Sequence, residues 1–196
     1  MRPSEHYDRV ARKYSEMISS GLGGRLKNRE RDCLMYLLSP KSTDVILDAG
    51  CGSGFYANMI RKSGAQVFCI DVSSVMVEVA KESGLDAEVH DVQSMNLNRK
   101  FGKILCAGPI EFCNSPLEAL RNLRRHLTGE GCIVLSILNI SVMGIVYWLY
   151  HFSHGIRINL YSLRGIKELL SNAGFRIEMV ERPTSFLFAI KAAPNP

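Results

Sequence analysis

Three acidic residues, Asp48, Asp71 and Asp91, each end or follow a short apolar run, and the first precedes a turn with three glycines, Gly50–Gly54. The apolar runs predict strands buried on both faces, and the glycines predict a backbone that comes very close to a ligand. Because ligands of such sheets lie beyond the carboxyl ends of the strands, we expect the three carboxylates to share one site. Asp71 is placed to accept hydrogen bonds from both hydroxyls of a ribose, and Asp91 to bind an adenine amino group.

Strands and helices alternate along most of the chain, which predicts a parallel sheet covered by helices on both faces. The fold class that follows is α/β, a doubly wound and mostly parallel seven-stranded sheet with a C-terminal antiparallel hairpin, in a single domain over residues 1–196. The predicted strands are 45–48, 65–70, 87–90, 103–107 and 132–138, and the predicted helices are 55–62, 73–84, 116–127 and 161–173. The hairpin covers 176–190, with a turn marked by Pro183.

The N-terminal region predicts two helices. Apolar residues recur at helical spacing from Tyr7 to Ile18, the glycines of 21–24 are expected to interrupt the helix, and a second run from Leu26 to Leu38 ends before Pro40. We interpret residues 1–40 as a helical lid with a glycine hinge.

Composition favours a soluble globular protein of the cytoplasm. The net charge of +5 comes from basic residues scattered over helix faces, which argues against nucleic-acid binding. The six cysteines have no C-x-x-C spacing and follow no secretory signal, so we expect reduced thiols. Oligomeric state is not predicted.

The region from Cys132 to Phe152 is apolar enough to consider as a membrane span. Polar residues and a glycine interrupt it, and a β-branched half precedes an aromatic half, which favours a strand followed by a helix. Contact with a membrane surface stays open. Residues 139–161 are longer than the fold requires at this position, and we expect this insertion to select the molecule that enters the site beside the first ligand.

The glycine turn and its neighbours resemble the class I S-adenosylmethionine-dependent methyltransferases over nearly the whole chain. The matching segments are Asp48–Gly54, Phe68–Asp71, His90–Val92, Thr128–Gly131 with its glycine turn before strand five, Asn172–Phe175, and the opening His6–Tyr14.

The resemblance implies an enzyme that binds S-adenosyl-L-methionine, releases S-adenosyl-L-homocysteine, and folds its first helix over the cofactor. Gly50 and Gly52 would admit the methionine portion, Asp48 would steady the turn and the amino group, and Asp71 would hold the ribose. The cofactor-binding residues implied are Tyr7, Tyr14, Asp48, Ala49, Gly50, Cys51, Gly52, Asp71, Val72, Asp91, Val92 and Ala107.

Two positions depart from the family pattern, and the glycine turn also matches one other kind of site. Lys103 stands where many members have an acid, and Glu111-Phe112 where many have a Glu-His pair. The rival is a nicotinamide-dinucleotide site, since residues 52–57 match G-x-G-x-x-A. Asp48, Asp91 and the absence of a Tyr-x-x-x-Lys pair argue against it.

Two histidines, His151 and His154, are the candidate catalytic residues, because imidazole is the side chain best suited to take a proton near neutral pH. Two ligands alone do not make a metal site, so no metal is expected. The aromatic residues of 147–152 either line an acceptor pocket or pack in the core.

Three functions remain: methyl transfer to an O or N atom of a small, apolar or aromatic molecule, transfer to a lipid-like acceptor, or a non-catalytic methyltransferase-fold protein that binds the cofactor or activates a partner subunit.

Overall fold

The computed structural model describes residues 21–196, so the helix predicted over residues 7–18 lies outside the described residues. Seven strands form one sheet in the order β3-β2-β1-β4-β5-β7-β6. β1 to β5 pair in parallel, and β7 runs antiparallel to both β5 and β6. This confirms the predicted fold class. The strands are β1 (Val45–Ala49), β2 (Gln66–Asp71), β3 (Asp86–Val89), β4 (Phe101–Ala107), β5 (Leu127–Leu138), β6 (Phe175–Thr184) and β7 (Leu187–Pro194).

Six α-helices and one short 3-10 helix connect the strands within the described residues. The 3-10 helix, Pro109–Phe112, directly follows the end of β4. The α-helices are α1 (Gly21–Leu38), α2 (Phe55–Arg61), α3 (Ser74–Glu82), α4 (Pro116–Arg125), α5 (Val142–Ser153) and α6 (Leu163–Asn172).

The core has two main layers, one on each face of the sheet. Leu47 of β1 points into the larger layer, which α4 and α6 cover with residues such as Leu120 and Ile166. Ile46 points the other way, toward a layer that Leu34 of α1 helps to fill. Alternate residues of one strand therefore serve both layers, as expected for a doubly covered parallel sheet.

The glycines of 21–24 do not interrupt the N-terminal region as predicted, because α1 begins at Gly21. Leu34, Leu37 and Leu38 are almost fully buried against the sheet. In proteins most helix stability comes from such packing, and it outweighs the unfavourable helix propensity of glycine. Since α1 is a packed layer of the core, the lid interpretation is confined to residues before Gly21.

Two predicted turns lie inside strands instead. Gly129–Gly131 belongs to β5, where the pairing with β4 shifts register between Phe101 and Lys103. Pro183 belongs to β6, where the pairing with β7 shifts between Glu181 and Thr184. Glycine and proline are tolerated in strands at such irregularities, and β6 is also an edge strand.

The apolar region that begins at Cys132 forms a strand and then a helix, as predicted. β5 ends at Leu138, and Ser141 caps α5 by accepting a hydrogen bond from the Gly144 N–H at 3.1 Å. A membrane-spanning helix would need greater apolar length than any helix between residues 21 and 196 has.

We predict that Gly54→Ala lowers the free energy of unfolding more than Gly174→Ala does. Both glycines have φ near +85°, where an alanine costs about 1–2 kcal/mol of strain. A Cβ at Gly174 meets open space, whereas one at Gly54 overlaps the buried side chain of Leu85. Urea unfolding of both variants measures the difference. Equal losses would show that Leu85 moves aside freely.

Candidate cofactor and acceptor site

The glycine turn after β1 bends over the end of β2. Gly50 and Cys51 both donate backbone hydrogen bonds to the Ile70 carbonyl, at 2.8 and 3.0 Å. The Gly52 N–H then donates to Asp71 Oδ2 at 2.8 Å. The glycine turn and Asp71, which lie in separate parts of the sequence, are therefore joined by a direct hydrogen bond.

Glycine is required in this turn for two different reasons. Gly50 has φ +77°, and a Cβ there would overlap the ring of Pro109, so the turn and the segment after β4 touch. Gly52 has φ +54° and faces open space, as does Gly108, which follows Ala107 at the end of β4. Bare backbone thus borders the point between β1 and β4 where strand order reverses, which is the ligand position in this class of sheet.

Asp71 holds the backbone on both sides of the site. Besides Gly52, its carboxylate accepts from the Ser73 N–H at 2.9 Å, and the Ser73 hydroxyl caps α3 through the Met76 N–H at 3.1 Å. Ser73 is therefore the cap of α3, and Asp71 orders that cap residue as well as the glycine turn. Val72, between them, is half exposed.

Asp91 orders the loop that borders the site beyond β3. Its Oδ1 accepts from the Gln93 N–H at 2.8 Å. Asn122 of α4 donates to the carbonyls of Val92 and Met95 at 3.1 and 3.0 Å, so the loop is anchored to the core. The structure thus brings Asp48, Asp71 and Asp91 to successive strand ends of one edge.

Asp48 is 1% exposed, and its Oδ2 has no hydrogen-bond partner. Burial, and after it the charge of Asp71, raise the pKa of Asp48 to about 7, against a hydrogen bond from the Ala57 N–H and the charge of Lys27, which lower it. An orphaned carboxyl oxygen beside a bare glycine turn fits a ligand with a cationic amino group.

Cys51 has a structural role in the turn. Its side chain is buried and donates to the Gly52 carbonyl at 3.3 Å. Contact with Cys69, and then burial, raise the pKa of the Cys51 thiol, so it is not the thiolate that nucleophilic chemistry requires. None of the six cysteines forms a disulfide.

Helix α1 brings two charged residues to this edge that the sequence analysis missed. Glu30 is buried and accepts from the Ser136 hydroxyl of β5 at 2.6 Å, and Lys27 pairs with Glu30 at 3.1 Å. The Lys27 ammonium also lies 4.6 Å from the Tyr56 ring centre. The sequence does indicate that Glu30 is unusual, because it lies four residues before Leu34 on the apolar face of α1.

Three buried polar atoms without hydrogen-bond partners follow the ends of β4 and β5: Glu111 Oε2, Asn139 Oδ1 and the Tyr161 hydroxyl. We call these three residues the acceptor edge. Burial raises the pKa of Glu111 well above its usual value, and burial followed by the charge of Glu111 raises the pKa of Tyr161. Asn159 joins the segment after α5 to the 3-10 helix, because its backbone N–H donates to the Glu111 carbonyl at 2.7 Å.

The two candidate histidines of α5 differ in environment. His151 is 3% exposed, its ring centre lies 5.7 Å from that of Phe112, and its Nδ1 lies 3.1 Å from the Tyr147 carbonyl oxygen. His154 is exposed, with Nδ1 2.8 Å from the Tyr150 carbonyl oxygen. The structure therefore places only His151 beside the acceptor edge. Tyr7 and Tyr14 lie outside the described residues.

A family model described as a methyltransferase domain matches residues 24–180 of this chain. The chain belongs to the class I S-adenosylmethionine-dependent methyltransferases, and S-adenosylmethionine is the cofactor of that family. The acidic strand ends, the bare glycines and the orphaned Asp48 oxygen fit such a cofactor.

Known relatives and structures agree with this family. The mitochondrial ubiquinone biosynthesis O-methyltransferase of Schizosaccharomyces pombe is 27% identical over 66% of this chain and 48% of its own length. The corresponding Xanthomonas oryzae protein is 32% identical over 48% of this chain and 43% of its own. The chain thus spans about half the length of these relatives.

A solved structure shows the same fold at low sequence identity. Magnesium protoporphyrin IX methyltransferase from Synechocystis, with bound S-adenosylhomocysteine, superposes with a TM-score of 0.76 at 14% identity, covering 98% of each chain.

We predict that Asp48→Asn stabilises the cofactor-free protein increasingly as the pH rises from 4 to 7. A carboxyl whose pKa is raised in the folded state holds its proton there but releases it on unfolding, so stability falls over this interval. Asparagine removes that loss, which is about 2–4 kcal/mol above pH 7. Urea unfolding across the pH range provides the measurement.

The matched control is Asp44→Asn, which should show the opposite slope. Burial opposes the effect, but hydrogen bonds from Lys103 and from the Lys41 N–H lower the pKa of Asp44, and its ion pair with Lys103 measures 2.7 Å. Its contribution to stability is present at neutral pH and is lost as the pH falls, so the substitution should destabilise most near neutrality. Parallel profiles for the two variants would contradict the assignment.

We also predict that Asp71→Ala weakens S-adenosylmethionine binding by about tenfold or more, since two charge-assisted hydrogen bonds to the ribose would be lost. Because Asp71 also accepts from the Gly52 and Ser73 N–H groups, the substitution should lower the free energy of unfolding by about 1–3 kcal/mol.

Ser73→Ala serves as the control for Asp71→Ala. It removes the hydroxyl cap of α3, at about 1 kcal/mol, and leaves the Asp71 carboxylate in place. Calorimetry should find parental cofactor affinity in Ser73→Ala. Equal affinity in all three proteins would make Asp71 purely structural.

Proposed function

We propose that the protein transfers a methyl group from S-adenosylmethionine to an oxygen or nitrogen atom of a small, apolar or aromatic molecule. The observation that carries the proposal is the acceptor edge. An acceptor that presents a hydroxyl or amino group would give hydrogen-bond partners to Glu111 Oε2 and Asn139 Oδ1, two buried oxygens that have none. Both curated relatives reported above are named as O-methyltransferases.

The cofactor site is assigned to the residues of the first three strand ends and the turn. The sulfonium of the bound cofactor supplies an activated methyl group. In this proposal Asp71 accepts from the ribose, Asp91 and the Val92 backbone address the adenine, and the Gly50 and Gly52 backbones border the methionine portion. Residues before Gly21, including Tyr7 and Tyr14, are proposed to close over the cofactor.

The acceptor edge is close enough to this site to orient an acceptor. Pro109 packs on Gly50, and Glu111 lies two residues farther along the same 3-10 helix. Holding the acceptor atom in line with the methyl group is the main contribution that the protein makes to such a transfer. Once ionised, which a cationic sulfonium nearby would favour, the Glu111 carboxylate is suited to accept a hydrogen bond from the acceptor atom and to take its proton as the new bond forms.

His151 is the second candidate base. Its ring contacts Phe112, next to Glu111, and it is buried among aromatic rings of α5. Imidazole takes a proton near neutral pH, so His151 would serve where the acceptor enters protonated. His154 is exposed at the end of α5, and we assign it no part in proton transfer.

A lipid-like acceptor is the second candidate. It is favoured by the position of α5. The buried side of this helix carries His151, which contacts Phe112 next to Glu111, and its exposed side is apolar. An acceptor with a long apolar chain would find apolar surface continuous with the site.

Transfer from labelled S-adenosylmethionine to a panel of phenols, amines and prenylated phenols tests the proposal. The parent protein should label a hydroxyl- or amino-bearing apolar acceptor, and Glu111→Gln should lower kcat by about 10²-fold or more with unchanged cofactor affinity. His151→Ala should lower kcat in a way that rising pH partly restores, whereas His154→Ala should match the parent. Cofactor binding without transfer to any acceptor would favour the non-catalytic alternative.

A further inference from the structure

Helix α5 exposes its apolar side chains to solvent and packs its opposite side against the protein. Val142, Ile145, Val146, Leu149 and Phe152 recur at helical spacing and are each between 45% and 79% exposed. The inward side carries Gly144 and His151, which are buried. This is the reverse of an ordinary surface helix, whose apolar side faces the core. We call the exposed side the outer face of α5.

The outer face bears no charged side chain, and the chain on either side of it carries no acidic residue. The sequence contains no aspartate or glutamate between Glu130 and Glu168, a stretch that includes the whole of α5. Arg157 stands four residues after the last residue of α5 and is exposed. An apolar face followed by an exposed arginine complements an anionic lipid surface.

The dimensions of α5 suit a helix that lies in a membrane interface. At 1.5 Å per residue its 12 residues extend about 18 Å, well short of the about 30 Å of a bilayer core. Tyr150 is 53% exposed at the same end of the helix as Arg157. Tyrosine is enriched at the level of lipid headgroups, where its ring is half apolar and half wet.

We propose that the outer face of α5 docks the protein on the surface of an anionic phospholipid bilayer. A protein partner or a second copy of this chain would be expected to meet charged side chains that fix its orientation, and the outer face bears none. Lipid requires no such fixed register, so an uncharged and mainly apolar face is sufficient.

Docking through α5 would bring the acceptor edge close to the bilayer. His151, on the inner side of the helix, contacts Phe112, and Asn159, just beyond α5, donates to the Glu111 carbonyl. A methyl acceptor dissolved in the bilayer would then reach the site without crossing water. This last step rests on the proposed function, whereas the docking itself does not.

Vesicle flotation of the full-length protein, without cofactor or acceptor, tests the docking independently of catalysis. The parent should float with vesicles of phosphatidylcholine that contain phosphatidylglycerol, and less with phosphatidylcholine alone. The double variant Val142→Glu/Leu149→Glu should bind at least tenfold more weakly to both. Arg157→Gln should lose about fivefold in affinity for the anionic vesicles only.

Tyr36→Glu is the matched control, because Tyr36 is an apolar residue of α1 that is 69% exposed and distant in sequence from α5. It should float like the parent, and all variants should keep parental S-adenosylmethionine affinity as a check of folding. A parent that does not float with either vesicle would overturn the proposal. So would a parent that sediments as a dimer which Val142→Glu/Leu149→Glu dissociates, because the outer face would then be an interface between copies.

Discussion

The Gly52 N–H donates to the Asp71 carboxylate across the ends of two neighbouring parallel strands, and both sides of the proposed cofactor site depend on that contact. The register that pairs Ala49 with Ile70 brings the turn after β1 directly over the end of β2. The turn then borders Pro109, and Asp71 in turn orders Ser73 and α3. Because one carboxylate joins these elements before any ligand enters, the site is organised in advance, which lowers the entropic cost of binding.

Burial keeps the carboxyl groups at this edge of the sheet from ionising fully, and Lys27 supplies a counter-charge. Asp48 and Glu111 both have raised pKa values because each is buried, and Lys27 lowers the pKa of both. A fully ionised cluster of carboxylates would destabilise the fold through like-charge repulsion. Carboxyls kept near neutrality can instead ionise when a cation binds beside them. A cationic cofactor and a weakly ionised edge are thus complementary.

The sequence predicted the parts of the protein that depend on local pattern. The apolar runs predicted the strands. The acids at their ends predicted that Asp48, Asp71 and Asp91 share one edge, because the carboxyl ends of parallel strands lie at the same edge of a sheet. It did not predict the Glu30–Ser136 hydrogen bond, which joins residues 106 positions apart. Nor did it predict that α5 exposes its apolar side, since an apolar run ordinarily indicates burial and only tertiary packing decides which side turns inward.

The two edges of the sheet have a consequence for how the protein behaves at high concentration. An unpaired edge strand can template the strand of another molecule and start aggregation, unless charge, brevity or proline prevents it. β3 is four residues long and exposes Asp86 and Glu88, while β6 carries Pro183 within an irregular register. Any self-association of this protein is therefore directed away from strand addition and toward side-chain contacts on helix surfaces, a mode that detergent or lipid reverses without unfolding the sheet.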